Sequence, residues 1–315
     1  MPLWPPPSSC TRPLKLSNNM EKNPKLTGYV AITFAMLFWG MSFVWTKQLL
    51  NAGFPVFTIV FLRLVIASAI FVTLFKIQHK LEKIQKGDWK WFFLLAFFEP
   101  FLYFIGEDFG MMYVDASFAA VMIALIPIVV SITMHFAEGE ALRSEFFIGT
   151  IVSVLGVFIM TFGFGGAVHV NFKGVAILMI AVLAAAGYSV MLSRMLKTYS
   201  PITVTTMQNL MAIPFYLPFV CIFDLRHWGG LMWSWSNISS LLCLAVFCSA
   251  GAYMCYSFAA QKITVTKVSV FANAIPIVTL FCAALIGQEI ITLQKCAGVL
   301  LVVVGVVLSQ MNFRK

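Results

Sequence analysis

The sequence predicts an all-α membrane protein of ten transmembrane helices, built as two inverted five-helix repeats, and three observations predict it. Hydrophobic residues make up 61% of the 315-residue chain and charged residues only 10%. Soluble domains carry roughly half and a quarter, so no water-soluble core of this length hides so much apolar surface. The apolar residues fall in runs of about 17 to 22, long enough to cross a bilayer as helices. Finally, the chain repeats: shifted by about 149 positions, residues 265–309 fall on 116–160 without a gap and with about ten identities.

The repeat can be read residue by residue. Ile126, Pro127, Ile128 and Val129 recur as Ile275, Pro276, Ile277 and Val278. Glu140, Gly149, Val154, Gly156 and Val157 recur as Glu289, Gly298, Val303, Gly305 and Val306. Upstream, Gly28 and Pro55 match Gly174 and Pro201 at a spacing of about 146. Each copy holds five apolar runs, and an odd number of crossings starts the second copy on the other side of the membrane. The copies are therefore inverted, an arrangement that lets two halves exchange conformations around a central site.

In chain order, residues 1–25 are rich in proline and serine, lack the hydrophobic centre of a secretory signal, and read as a disordered cytoplasmic tail in which Met20 offers an alternative start. The first repeat is assigned to 26–165, with spans at 29–46, 56–75, 91–105, 116–135 and 146–164. The second is assigned to 166–315, with spans at 174–192, 202–223, 238–259, 265–285 and 293–309. Loops are short, and the longest, 76–90, carries Lys76, Lys80, Lys83, Lys86 and Lys90.

Cytoplasmic loops retain lysine and arginine, and placing both termini inside puts about sixteen of them in the cytoplasm and about four outside. Trp89, Trp91, Trp228, Trp233 and Trp235 gather at predicted span ends, where an amphipathic ring suits the headgroup layer. The net charge of +9 then reads as topology and attraction to anionic lipid, not as nucleic-acid binding. The seven cysteines show no CxxC spacing and no histidine cluster, so no metal and no cofactor is expected. No phosphate loop, zinc protease motif or nucleophile elbow is present, which argues against ATP-driven transport on this chain and against an enzyme.

Trp39, Gly40, Ser42 and Lys47 near the end of the first span, Arg63 in the second, and the proline-to-glutamate block present in both copies make the chain resemble the EamA family of the drug/metabolite transporter superfamily. The resemblance covers about residues 26–314. It implies a ten-helix secondary transporter, commonly an exporter of amino acids, other small metabolites or drugs, in the cell (inner) membrane. Alternatives are a nucleotide-sugar or organic-phosphate antiporter, which would call for several basic residues at membrane depth where Arg63 is the clear one, and a membrane receptor or scaffold without turnover.

Residues shared by both copies are expected to be architectural. Pro127 and Pro276 should bend their spans and serve as structural hinges, Glu140 and Glu289 should meet the unpaired amides of the following helix, and the shared glycines should let helices approach closely. Polar residues of one copy only are better site candidates, because a substrate is not symmetric. These are Trp39, Ser42, Arg63, Glu99, Tyr103, Tyr188, Gln208, Asn209, Tyr253 and Asn273. Glu99 lies about 15 Å from Trp89, midway across the core. Helical spacing puts Glu99, Tyr103 and Glu107 in one stripe, with Glu107 and Asp108 emerging into water, while Pro100 is expected to kink the span and open its backbone locally for polar contact. Glu99 is either paired with Arg63 and structural, or unpaired and able to contact a small-molecule substrate or exchange a coupling proton.

Overall fold

A computed structural model describes residues 24–110, 113, 122–162, 171–285 and 291–311. The tail through Asn23 with Met20, residues 116–121 of the fourth predicted span, 163–164 of the fifth, Glu289 and the Lys47 side chain lie outside the described residues.

The described residues form ten helical spans with short connections, as apolar runs must in lipid, where each backbone polar group needs a partner within its own segment. They are α1 (Pro24–Asn51), α2 (Val56–Ile77), α3 (89–110), α4 (Ile126–Glu138), α5 (Ser144–Phe162), α6 (Phe172–Leu196), α7 (Pro201–Gly230), α8 (Trp235–Ile263), α9 (265–285) and α10 (Leu293–Gln310). Seven are long and apolar enough to cross a membrane by themselves, α4 and α5 contain shorter apolar helices, and α3 is interrupted midway. In the second half the starts of α6, α7, α8 and α10 are closed by Asn171, Ser200, Ser234 and Thr292, whose side chains accept a backbone amide of the first turn.

Helix pairing follows the repeat. α1 packs on α8 as α6 packs on α3, α1 on α9 as α6 on α4, and α2 on α8 as α7 on α3, while α2 and α7 pair with each other, as do α5 and α10. Each half therefore builds its neighbourhood out of the other half. The seam between α5 and α10 is the most intimate: a Cβ added at Gly149 would lie 2.3 Å from the Ser309 nitrogen, and one at Gly305 would lie 2.4 Å from the Ser153 nitrogen. Backbone meets backbone there because the shared glycines leave room, as expected. The outward faces of these helices carry Ile148, Leu155, Leu300 and Val307, all exposed and suited to lipid.

Pro127 and Pro276 occupy matching places. Each is the second residue of a fresh helical segment, Ile126–Glu138 and Ile275–Leu285, and the second follows a 3₁₀ stretch at Val270–Ala274. A proline at a helix start needs no amide partner, so each marks a restart of its span.

Three expectations are corrected. Glu140 does not sit on the amides of α5; its carboxylate accepts the Thr266 hydroxyl at 2.6 Å, at the start of α9, while Glu145 occupies the first turn of α5. Glu107 does not emerge into water but is buried, because Gly106 beside it packs against the backbone of Ala181 and draws this end of α3 onto α6. Trp89, Trp233 and Trp235 are exposed at helix ends, but Trp91 is buried and the Trp228 indole nitrogen donates to the Thr58 hydroxyl at 2.9 Å.

Candidate functional site

The feature that positions the site is a break in α3. Residues Trp89–Ala96 and Tyr103–Gly110 are regular helix, but Phe97–Leu102 is a wide turn in which Glu99 has extended backbone angles (φ −148°, ψ 124°). Pro100 cannot donate an amide and restricts the residue before it, which accounts for an extended Glu99. The break is braced from the other half: the Tyr216 hydroxyl donates to the carbonyls of Pro100 at 3.0 Å and Phe101 at 3.3 Å. The second half has a wide turn at the equivalent place, Leu244–Ala252 in α8.

The break turns Glu99 away from the stripe that a regular helix would form. Tyr103 and Glu107 remain together, the phenol donating to the carboxyl at 3.4 Å. Glu99, 8% exposed, instead faces the second half and accepts the Tyr253 hydroxyl at 2.9 Å. Among the described residues, no lysine, arginine or histidine nitrogen lies within 4.0 Å of it. Glu99 and Arg63 do not form a direct pair.

Around this carboxyl the halves contribute an arc of rings. Trp39 of α1 meets Tyr253 edge-on at 5.1 Å between centroids and Tyr256 at 5.3 Å, and Tyr256 meets Tyr188 of α6 at 6.4 Å. The far end is Gln208 of α7, whose Oε1 accepts the Tyr188 hydroxyl at 3.3 Å. Its other terminal atom, Nε2, is buried without a partner. Tyr256 escaped the sequence reading, although its position three residues after Tyr253 puts both on one helix face.

Arg63 and Asn209 are equivalent positions of the two halves, and both hold Ser249 in the wide turn of α8. Arg63 Nε donates to the serine hydroxyl at 2.7 Å, and Asn209 Nδ2 donates to its carbonyl at 2.9 Å. The guanidinium lies 4.8 Å from the Phe104 ring centre and within electrostatic reach of Glu107 and Asp108. The other candidates stand apart. The Ser42 hydroxyl donates to the Trp39 carbonyl at 2.6 Å within its own helix, and Asn273 donates to Ser153 at 3.0 Å beside the α5 and α10 seam.

Polar contacts join the two halves at both ends of the structure. At the end carrying the termini, the loop before α3 is fixed to the turn before α7: Glu82 accepts the Ser200 amide at 2.7 Å, and Tyr199 donates to Asp88 at 2.7 Å while accepting the Gln85 amide at 3.1 Å. Burial pushes the Tyr199 phenol up to about 12. Lys197 and Glu138 also pair across the halves at this end. At the opposite end, buried Asp224 accepts the Thr58 amide at 2.8 Å and the Thr58 hydroxyl at 3.0 Å, and Gln48 donates to Ser236 at 2.6 Å. Sequence reasoning missed Asp224 and Thr58, since their contact spans 166 residues of chain.

A solved structure with 17% sequence identity superposes with a TM-score of 0.74, covering 91% of this chain and 98% of its own, and so shares the fold. An uncharacterized transporter of Archaeoglobus fulgidus is 28% identical over 279 residues, 88% of this chain and 96% of its own. The uncharacterized transporter YetK of Bacillus subtilis is 24% identical over 302 residues, 93% of this chain and 89% of its own. The model of the EamA-like transporter family matches residues 26–162 and again 172–311, so two consecutive copies of one unit cover nearly the whole chain, and the chain belongs to the EamA-like transporter family.

Proposed function

We propose that this membrane transporter is a secondary active exporter of small organic solutes, that it works by alternating access between the halves 26–165 and 166–315, and that Glu99 is its proton-coupling residue. The observation that carries the reading is the buried Glu99 carboxyl, held on an interrupted helix of one half by a tyrosine of the other and free of a cationic partner. An ionisable group is costly at membrane depth and is retained where it faces a partner or a wetted path. A carboxyl with a hydroxyl partner and no fixed counter-charge can take up and release a proton as access alternates. The hydrogen-bonded closures at the two ends would open in turn, exposing the Glu99 layer first to one side and then to the other. Lysine and arginine bias supports an inner-membrane topology with both termini in the cytoplasm.

Net flux in sealed vesicles tests the reading. Purified protein in vesicles with an outward-directed solute gradient should exchange labelled solute. An imposed proton gradient should drive uptake against the solute gradient. Absence of flux across a chemically broad solute panel, from protein shown to be folded, would rule transport out.

A further inference from the structure

We propose that the Glu99 layer takes an organic cation, with its ammonium group against the Glu99 carboxylate and its carbon body along Trp39, Tyr253, Tyr256 and Tyr188. The substrate class rests on the transport reading for turnover, while the binding claim stands on the geometry of the layer alone.

Charge is the first consideration. Glu99 is the acceptor at one end of the arc and has a phenol, not a cation, as its described partner. An ionised carboxylate at this depth needs a compensating positive charge. A bound proton supplies one and a bound ammonium supplies another, so either can occupy the site without leaving a net buried charge. Binding is then an exchange: as the organic cation arrives the carboxyl O–H breaks, its proton forms a new O–H on water and leaves, and the cation balances the carboxylate without any covalent bond to it.

The walls are the second consideration. Aromatic faces attract cations within about 6 Å of the ring centre, most strongly when water is excluded. Tyr253, Trp39, Tyr256 and Tyr188 follow one another in that order at 5.1, 5.3 and 6.4 Å between centroids, in edge-on or tilted contacts. Such contacts can part to admit a guest without breaking a backbone hydrogen bond. At the far end the unpartnered amide atom of Gln208, itself 0% exposed, provides a second polar contact. An anion is disfavoured at the same place, because it would meet the Glu99 carboxyl, which among the described residues has no lysine, arginine or histidine nitrogen within 4.0 Å to offset the repulsion.

Other titratable groups surround Glu99 and must be separated from it in a test. Tyr103 and Glu107 on α3, Tyr188 on α6, and Tyr253 and Tyr256 on α8 all sense its charge, and Arg63 on α2 reaches Tyr253 and Glu107. Trp39 of α1 and Gln208 of α7 do not titrate.

One skeleton carrying three charges makes the experiment: phenethylamine, phenethyl alcohol and 3-phenylpropionate, titrated by calorimetry into purified full-length protein. Phenethylamine should bind at least about tenfold more tightly than the other two, with proton release visible as a dependence of the heat on the buffer. Glu99→Gln should erase the preference for the amine and the proton release. Glu107→Gln should keep both. Trp39→Leu, with an unchanged unfolding midpoint, should weaken the amine while leaving proton release per bound amine intact. Equal or tighter binding of the alcohol or the carboxylate by the wild type, or no binding of the amine, overturns the assignment whether or not the variants fold. Amine binding without any flux would sink the transport reading and leave this one; flux confined to neutral or anionic solutes would do the reverse.

Discussion

Gly149→Ala is the perturbation whose size follows most directly from the structure. Its added methyl would lie 2.3 Å from the Ser309 nitrogen and 2.6 Å from the Gly305 carbonyl oxygen, where ordinary contact begins at 3.4 Å. Both obstacles are backbone, so no side chain can turn aside, and α5 and α10 must separate by about 1 Å. A gap of that size forfeits a quarter to a half of each dispersion contact along the seam, and overpacking of this kind costs about 1–3 kcal/mol. The unfolding midpoint in detergent should fall by about 2–12 °C. Gly87→Ala is the control, since a Cβ there meets nothing within 4 Å. Gly149→Ala combined with Gly305→Ala should cost less than the sum, because the first substitution already opens the contact that the second would crowd. A midpoint for Gly149→Ala within about 1 °C of wild type would refute the backbone-to-backbone seam.

Further outcomes follow from the contacts at the two ends, the helix restarts and the topology. Asp224→Asn weakens the two hydrogen bonds from Thr58, each worth about 1.5–3 kcal/mol to a charged acceptor, and should raise labelling of a cysteine placed at Ser249 by a reagent added on that side; unchanged labelling would show that this contact does not hold the end shut. Pro127→Ala and Pro276→Ala should impair flux more than membrane abundance, and normal flux in both would show that the helix restarts are not needed. Tyr199 has a folded pKa of about 12 against an ordinary 10.0, so its neutral form is favoured by folding. Its contribution is complete below pH 10.0 and lost as pH rises through about 12, a loss that a melting series should show in wild type and not in Tyr199→Phe. Cysteines at Lys83 and Lys173, in a background without native cysteines, should react with an impermeant reagent from opposite sides; reaction of both from one side would contradict the inverted repeat.

The sequence made the architecture legible because the repeat carries it in local signals: a proline at each helix restart, glycines at each seam position, and an odd number of apolar runs. It also singled out Glu99 and Arg63, since an ionisable residue in an apolar run stands out whatever it touches. What it could not supply was direction. Pro100 marked a kink beside Glu99, but periodicity still set Glu99 in line with Tyr103 and Glu107, and the extended backbone there sends the carboxyl to Tyr253, 154 residues away. The same limit hid Tyr256, Asp224 and Thr58, whose roles exist only once the halves are packed. Glu140 was misread for a related reason: its place before α5 suggested a local cap, and a hydroxyl on α9 proved the nearer partner.

The central claim is that Glu99 couples proton entry to solute exit. Glu99→Gln keeps the shape of the side chain and the acceptor for Tyr253 while removing the titrating proton. In sealed vesicles containing equal amounts of folded protein, the account predicts that Glu99→Gln loses solute movement driven by a proton gradient but retains exchange of labelled for unlabelled solute. Proton-driven movement at the wild-type rate in Glu99→Gln would contradict it.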